Sequence, residues 1–206
     1  MTGSDGLPES AAYTERYARH LVLKEIGGAG QQKLSAARVL VIGAGGLGAS
    51  LLAYLAAAGV GSISIIDDDV VSLSNLQRQV LFNHDDIGLP KVICAAKFIA
   101  RLNPDCKVTP IDARLTADNA QNLIEAHDVI ADGCDNFTTR FLVNDACYFA
   151  GKPLVSAAVG RFDGQLTTFK AYENDAKGTP YPCYRSFVSD DMRASEATDC
   201  ETTGII

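Results

Sequence analysis

A doubly wound, mostly parallel α/β sheet with an antiparallel extension in its C-terminal part is the fold this sequence predicts. Three observations predict it. Short runs rich in Val and Ile recur at 37–43 (ARVLVIG), 61–67 (GSISIID), 106–112 (CKVTPID) and 127–133 (HDVIADG). Continuous apolar runs of this length suit strands covered on both faces. Each run is followed by a longer stretch of helical spacing, and that alternation is the pattern of a parallel sheet wrapped by helices. A glycine-rich turn, GAGGLG at 43–48, stands where the first strand meets the first helix of the core.

The elements follow in order. Residues 1–12 read as a tail, and YTERYARHLVLKEI predicts an amphipathic helix over 13–27 with Leu21, Val22 and Ile26 on one side, ended by GGAG. The core runs over 37–170. After the first strand comes a helix from Leu47 to Ala58, then the second strand and a helix, PKVICAAKFIARLN, that starts at Pro90, where a missing amide is harmless. The third strand, the helix TADNAQNLIEA, the fourth strand and the helix NFTTRFLVNDACYFA continue the alternation. PLVSAAV and GQLTTFK, joined by the short GRFD, predict an antiparallel pair at the far part of the sheet. Residues 171–206 lose periodicity and read as a long, unfinished loop.

At 206 residues the chain predicts a single domain. Apolar residues make up 47% and charged residues 21%, which excludes wholesale disorder. A net charge of −7 without a Lys/Arg cluster argues against a nucleic-acid groove or an anionic membrane as partner. No secretory pattern opens the chain and no apolar run is long enough to span a bilayer, so a cytoplasmic protein is expected. Six cysteines without a CxxC pair predict reduced thiols, with Cys94 and Cys147 as core packing. His20, His84 and His127 show no partner pattern.

The chemistry starts at the glycine turn. Gly43, Gly45 and Gly48 fall on the G-x-G-x-x-G positions of a Rossmann-like nucleotide site. There glycines let backbone amides approach phosphate, and the helix N-terminus adds positive charge. Asp67 ends the second strand, 19 residues after Gly48, placed to accept from ribose hydroxyls. The fingerprint alone favours a nicotinamide dinucleotide. The next loop favours more phosphate: SLSNLQRQ at 72–79 brings Asn75 and Arg78, Asp68 and Asp69 precede it, and Lys91 follows in GLPK. Two cations converging there suit a triphosphate better than a shared pyrophosphate. ADGCDNFTTR brings Asp135 and Asn136 to the same edge. A carboxylate facing phosphates calls for a hard cation such as Mg²⁺ between them. Asp135 is equally well placed to cap the next helix.

RVLVIGAGGLG, SLSNLQRQ, GLPK, DGCDN and PCYRSF, in this order and spacing, resemble the ubiquitin-activating-enzyme-like (ThiF/MoeB/HesA) adenylyltransferases of bacterial sulfur-carrier pathways, in their molybdopterin and thiamine branches. The similarity runs from about Tyr17 to the last residue. It implies activation of a ubiquitin-like sulfur carrier protein: ATP and the carrier's C-terminal glycine carboxylate give an acyl adenylate and pyrophosphate. It implies a nucleotide held by Gly43, Gly45, Gly46, Gly48, Asp67, Asp69, Ser74, Asn75, Leu76, Gln77, Arg78, Lys91, Asp135 and Asn136. Arg78 and Asn75 would hold the phosphates, Lys91 would neutralise their charge, and Asp135 would position Mg²⁺. Arg19, by itself an ordinary exposed helix charge, matches an arginine offered across a homodimer interface. Cys200 matches a crossover-loop cysteine able to form a thioester or persulfide link.

The chain departs from that pattern at PCYRSF, where relatives have a CxxC and Cys183 here is followed by Ser186. Serine is a poor zinc ligand, so zinc is not expected. The rival readings are an NAD-dependent oxidoreductase, a non-catalytic nucleotide-binding docking protein, and an enzyme acting on a modified tRNA base, the last disfavoured by the acidic balance.

Overall fold

The computed structural model describes residues 11–160 and 162–188. Helices α1 (Ala11–Leu21) and α2 (Gly27–Ala36) precede the core. There β1 (Arg38–Ile42), α3 (Gly46–Ala58), β2 (Ser62–Asp67), α4 (Lys91–Leu102), β3 (Lys107–Asp112), α5 (Ala117–Glu125), β4 (Val129–Asp132) and α6 (Phe137–Ala150) alternate. β5 (Leu154–Val159), β6 (Gly164–Phe169) and the short α7 (Tyr184–Phe187) complete the described chain. One sheet holds all strands in the order β3-β2-β1-β4-β5-β6, parallel except for the antiparallel β5–β6 pair. The predicted fold class and its antiparallel extension are thus borne out.

Alternating side chains of the strands feed two cores. Val39, Val41, Ile63 and Ile65 pack with Leu52 and Ala56 of α3 and with Val92 and Ile99 of α4. Leu40, Ile42, Ile130 and Leu154 pack with Ile124 of α5 and Val143 of α6 on the other face. Both faces of β1, β2 and β4 are covered, which is why those strand sequences read as apolar runs. Cys94 joins the first core and Cys147 the second.

The N-terminal region differs from its expectation. The predicted helix over 13–27 stops at Leu21, and the glycines expected to end it open α2 instead. Tertiary bonds override local propensity here: Gln31, fully buried, donates from Nε2 to Ala58 O (3.0 Å) and accepts from His20 Nδ1 (2.8 Å). The inward face of α1 is Tyr13 and Tyr17, stacked edge to face at 4.7 Å, whereas Val22 is 77% exposed. Tyr17 Oη accepts from Asn103 Nδ2 (2.8 Å), which also donates to Ala56 O (2.8 Å). Both contacts lie at the C-terminal ends of α3 and α4. Since those helices begin at the carboxyl edge of the strands, α1 and α2 sit at the amino edge. The expected tail lies outside the described residues, save Ala11 and Ala12 at the start of α1. Among the described residues no helix is long and apolar enough to cross a membrane.

Candidate nucleotide site

β1 and β4 are neighbours, yet α3 leaves β1 toward one face and α6 leaves β4 toward the other. The crevice outside their carboxyl ends is the topological switch point, where doubly wound sheets bind ligands. The ladders run straight into its two loops: Gly43 N donates to Ile66 O (2.9 Å) and Gly133 N to Ile42 O (3.0 Å). Gly43 takes φ +87°, a left-handed turn that lets the chain reverse at once into α3. A Cβ on Gly48 would stand 1.9 Å from Gly43 O, so the turn and the first coil of α3 close only on glycine.

Asp67 is committed to this turn. Its Oδ2 accepts from Ala44 N (2.6 Å) and its Oδ1 from Asp69 N (2.8 Å). Burial pushes its carboxyl above the ordinary range, and the two amide bonds only partly offset this. The expected ribose contact would therefore share a carboxylate that already braces the glycine turn.

The stretch SLSNLQRQ folds over the same turn. A 3-10 turn at Leu73–Asn75 begins it, with Ser72 N donating to Asn75 Oδ1 (3.1 Å), which leaves the Nδ2 end of Asn75 to donate elsewhere. Arg78 N donates to Asn75 O (3.1 Å) and Nη1 to Ser74 O (3.1 Å). Its stem lies along Gly46, where a Cβ would meet Arg78 Cδ at 3.7 Å. Arg78 thus lies against the glycine turn and makes no ion pair among the described residues. Leu76 turns inward to pack on the core, and Ser74 and Gln77 are exposed.

Lys91 opens α4, its side chain 6% exposed and paired at 2.7 Å with Asp69, which is 68% exposed. Lys91 N also donates to Asp69 O (3.0 Å). The ammonium is therefore buried at the rim of the crevice with a partner that solvent can still reach.

The loop after β4 places Asp135 in solvent, while Asn136 caps α6 by accepting from Thr139 N (2.8 Å). The capping alternative for Asp135 thus falls to its neighbour, and Asp135 enters no ion pair among the described residues. Beneath this loop lies a buried pair that sequence reasoning missed. Asp132 accepts from Cys134 N (3.0 Å) and Ser156 Oγ (3.1 Å), with Arg140 Nη1 at 3.9 Å. Arg140 also donates to Ala157 O (2.9 Å) and to Cys134 O. Asp132 stood in plain view in DGCDN, but its partners come from α6 and β5 and share no local pattern with it.

Arg19 is exposed on α1, at the opposite edge of the sheet from the glycine turn. The structure does not bring it to its own chain's crevice. Cys200 lies outside the described residues, and Cys183 Sγ sits 3.4 Å from Ser186 Oγ. His127 is structural, donating from Nδ1 to Leu123 O (2.6 Å) with Nε2 2.7 Å from Ser64 Oγ.

The residues fit Mg²⁺. Among the described residues, one acidic group has ligand atoms within 4.8 Å of one another, Asp67, Asp68 and Asp69. Asp67 is bound to backbone amides and Asp69 to Lys91, while the exposed carboxylates of Asp68 and, in the loop after β4, Asp135 make no ion pair among the described residues. One or two carboxylates with substrate phosphates is how Mg²⁺ is usually held.

A glycine turn, two cations and a free carboxylate at one switch point define a nucleotide-binding protein equipped for chemistry on phosphates. The chain belongs to the ThiF family, whose pattern it matches over residues 17–206. It is 45% identical over 196 residues to the SAMP-activating enzyme E1 of Haloferax volcanii, covering 95% of this chain and 70% of that protein. It is 41% identical to the sulfur carrier protein adenylyltransferase of Thermus thermophilus, covering 93% of this chain and 70% of that protein. The probable adenylyltransferase/sulfurtransferase MoeZ of Mycobacterium tuberculosis is 50% identical over 177 residues, and there the chain spans only 45% of the relative. Among solved structures, E. coli tRNA N6-threonylcarbamoyladenosine dehydratase TcdA in complex with ATP matches with a TM-score of 0.70 at 29% identity, covering 75% of this chain and 64% of that one. The family resemblance read from the motifs is borne out.

Proposed function

We propose that this chain uses ATP to adenylylate the C-terminal glycine of a small ubiquitin-like sulfur carrier protein, of the molybdopterin or thiamine type, and releases pyrophosphate. The observation that carries the reading is Arg78 lying along Gly46, which sets a guanidinium beside the amides of the glycine turn. The relatives named as adenylyltransferases support it.

In this reaction a carboxylate oxygen of the carrier attacks the α-phosphorus of ATP, and the bond from that phosphorus to the β-phosphate bridging oxygen breaks. A carboxylate has no proton to lose, so the site needs placement and charge neutralisation rather than a general base. The glycine-turn amides and Asn75 orient the phosphates. Arg78 offsets charge on them, and Lys91 can exchange the solvent-facing Asp69 for a phosphate oxygen. Mg²⁺, held by Asp135 and the phosphates, would stabilise the charge that gathers on the departing pyrophosphate. Cys200 is our candidate for taking the acyl group as a thioester with release of AMP, and Cys200→Ser would leave adenylate formation intact.

We further infer that the active unit is a homodimer. Arg19 is too far round the molecule to serve its own crevice, and the exposed Val22 and Leu23 beside it offer apolar surface for a partner copy. A cytoplasmic reaction, where ATP is supplied and thiols stay reduced, completes the proposal.

Carrier-dependent exchange of labelled pyrophosphate into ATP tests the reading, and no exchange with carriers of either type would sink it. Arg78→Ala and Asp135→Ala should each cut exchange by about a hundredfold or more while the melting temperature stays put. Arg19→Ala mixed with Arg78→Ala should recover up to about a quarter of wild-type activity if each site borrows Arg19 from its partner.

A further inference from the structure

The exposed Asp135 stands between two residues that the fold ties down. Cys134 N donates to Asp132 Oδ1 (3.0 Å), Cys134 O accepts from Arg140 Nη2, and Cys134 Sγ donates to Asn136 O (3.6 Å). Asn136 O also accepts from Arg140 N (3.2 Å), and the Asn136 side chain caps α6. Arg140 therefore grips both neighbours of Asp135, one through its guanidinium and the other through its main chain. The same guanidinium donates to Ala157 O (2.9 Å) and to Ser156 Oγ (3.5 Å), which fastens the loop to β5. Arg140 is 6% exposed and Asp132 2%, with Nη1 and Oδ2 3.9 Å apart. A buried pair of this kind gives little stability that well-packed apolar side chains would not match. Apolar side chains could not aim donors at two carbonyls and an acceptor at an amide.

We propose that Arg140 and Asp132 are positioning residues for the reaction: they hold the Cys134 peptide from both sides and so fix the main chain from which the Asp135 carboxylate projects beside the glycine turn. This rests on the adenylylation reading above, in which Asp135 serves Mg²⁺. Both side chains act through the loop and neither is a contact of the nucleotide. A carboxylate on a slack loop would have to be ordered each time a nucleotide arrived, whereas here the ordering is complete once the sheet has folded.

Two variants of the full chain test this. Arg140→Lys keeps a buried cation but loses the planar fork that reaches two carbonyls. Arg140→Met combined with Asp132→Asn removes both charges, so no ion is left buried alone. In each variant, without nucleotide, amide hydrogen exchange of residues 133–136 should quicken about tenfold or more while the β1 amides keep their wild-type rate. In the labelled-pyrophosphate assay kcat should fall about tenfold or more with the KM for ATP within about twofold. The Mg²⁺ concentration for half-maximal rate should rise about tenfold, the usual loss when the support of a metal-holding residue is removed. Quicker hydrogen exchange in β1 as well, or a lower kcat at an unchanged Mg²⁺ requirement, would make the pair merely structural and overturn the proposal. Wild-type hydrogen exchange of the loop in either variant would overturn it too. A wild type inactive in the pyrophosphate assay sinks the adenylylation reading and this one with it, whereas an active wild type with variants of equal kcat sinks the positioning role alone.

Discussion

The turn after β1 and the turn after β4 lie side by side at the carboxyl edge, so close that a Cβ on Gly43 would meet Gly133 O at 3.3 Å. The first is shaped by its own residues: glycines close the turn, and Asp67 from the next strand ties down Ala44 N. The second is shaped from below, by Asp132 in β4 and Arg140 in α6, with Ser156 and Ala157 of β5 completing the bonds. The first arrangement offers bare amides to a ligand. The second holds a carboxylate, Asp135, exposed above a buried, hydrogen-bonded base, and the proposed reaction would use the two loops on opposite sides of a cation-bound phosphate.

Breaking each loop at its own support measures the difference. In the second loop, Arg140→Met leaves the Asp132 carboxylate buried without its cation and two carbonyls without donors, and should cost about 3–5 kcal/mol in urea denaturation. Adding Asp132→Asn should recover at least about 1 kcal/mol, since the amide can still accept from Cys134 N while donating to Ser156 Oγ. An additive double variant would show that the pair is not coupled. In the first loop, Gly48→Ala sets a Cβ against a backbone oxygen that cannot move alone, and about 3 kcal/mol of stability should go with it. Nothing repairs that clash from outside the turn, so ATP-induced stabilisation should disappear in the same variant.

The contrast also explains what the sequence could disclose. The inner strands β1, β2 and β4 were legible because they are buried on both faces and so written in apolar residues, and the glycine turn was legible because its glycines lie within six residues of one another. The polar stretch was legible as a phosphate feature because it carries Arg78 and is followed by Lys91 beyond a strand's end. The Asp132–Arg140 support was hidden because β5 supplies half its bonds from far along the chain. The swap of roles between Asp135 and Asn136 turns on one residue of phase, which helix-boundary reasoning does not resolve. Asn136→Ala should cost about 1 kcal/mol, the usual loss for an N-cap, and Asp135→Ala almost none. Equal losses in thermal melts would mean that both residues cap the helix.

The same two strands are also joined at their other end, where the pair is exposed. Arg38 Nη2 meets Asp128 Oδ1 at 2.6 Å, and Arg38 N donates to Asp128 Oδ2 (2.9 Å), with both side chains about half open to water. The Arg38 guanidinium bonded to it holds the Asp128 carboxyl down at about 2. Because the folded value lies below that of the unfolded chain, the contribution is complete above about pH 4 and is lost as pH falls toward 2. Solvent screening shrinks what the shift alone would suggest, so Asp128→Asn should lower the melting temperature by about 2 °C or less at pH 7. Near pH 2 the variant and wild type should melt together. A drop at pH 7 as large as that of Arg140→Met would mean that an open clamp on β1 and β4 stabilises as well as a buried one, and the distinction between the two edges would have to be given up.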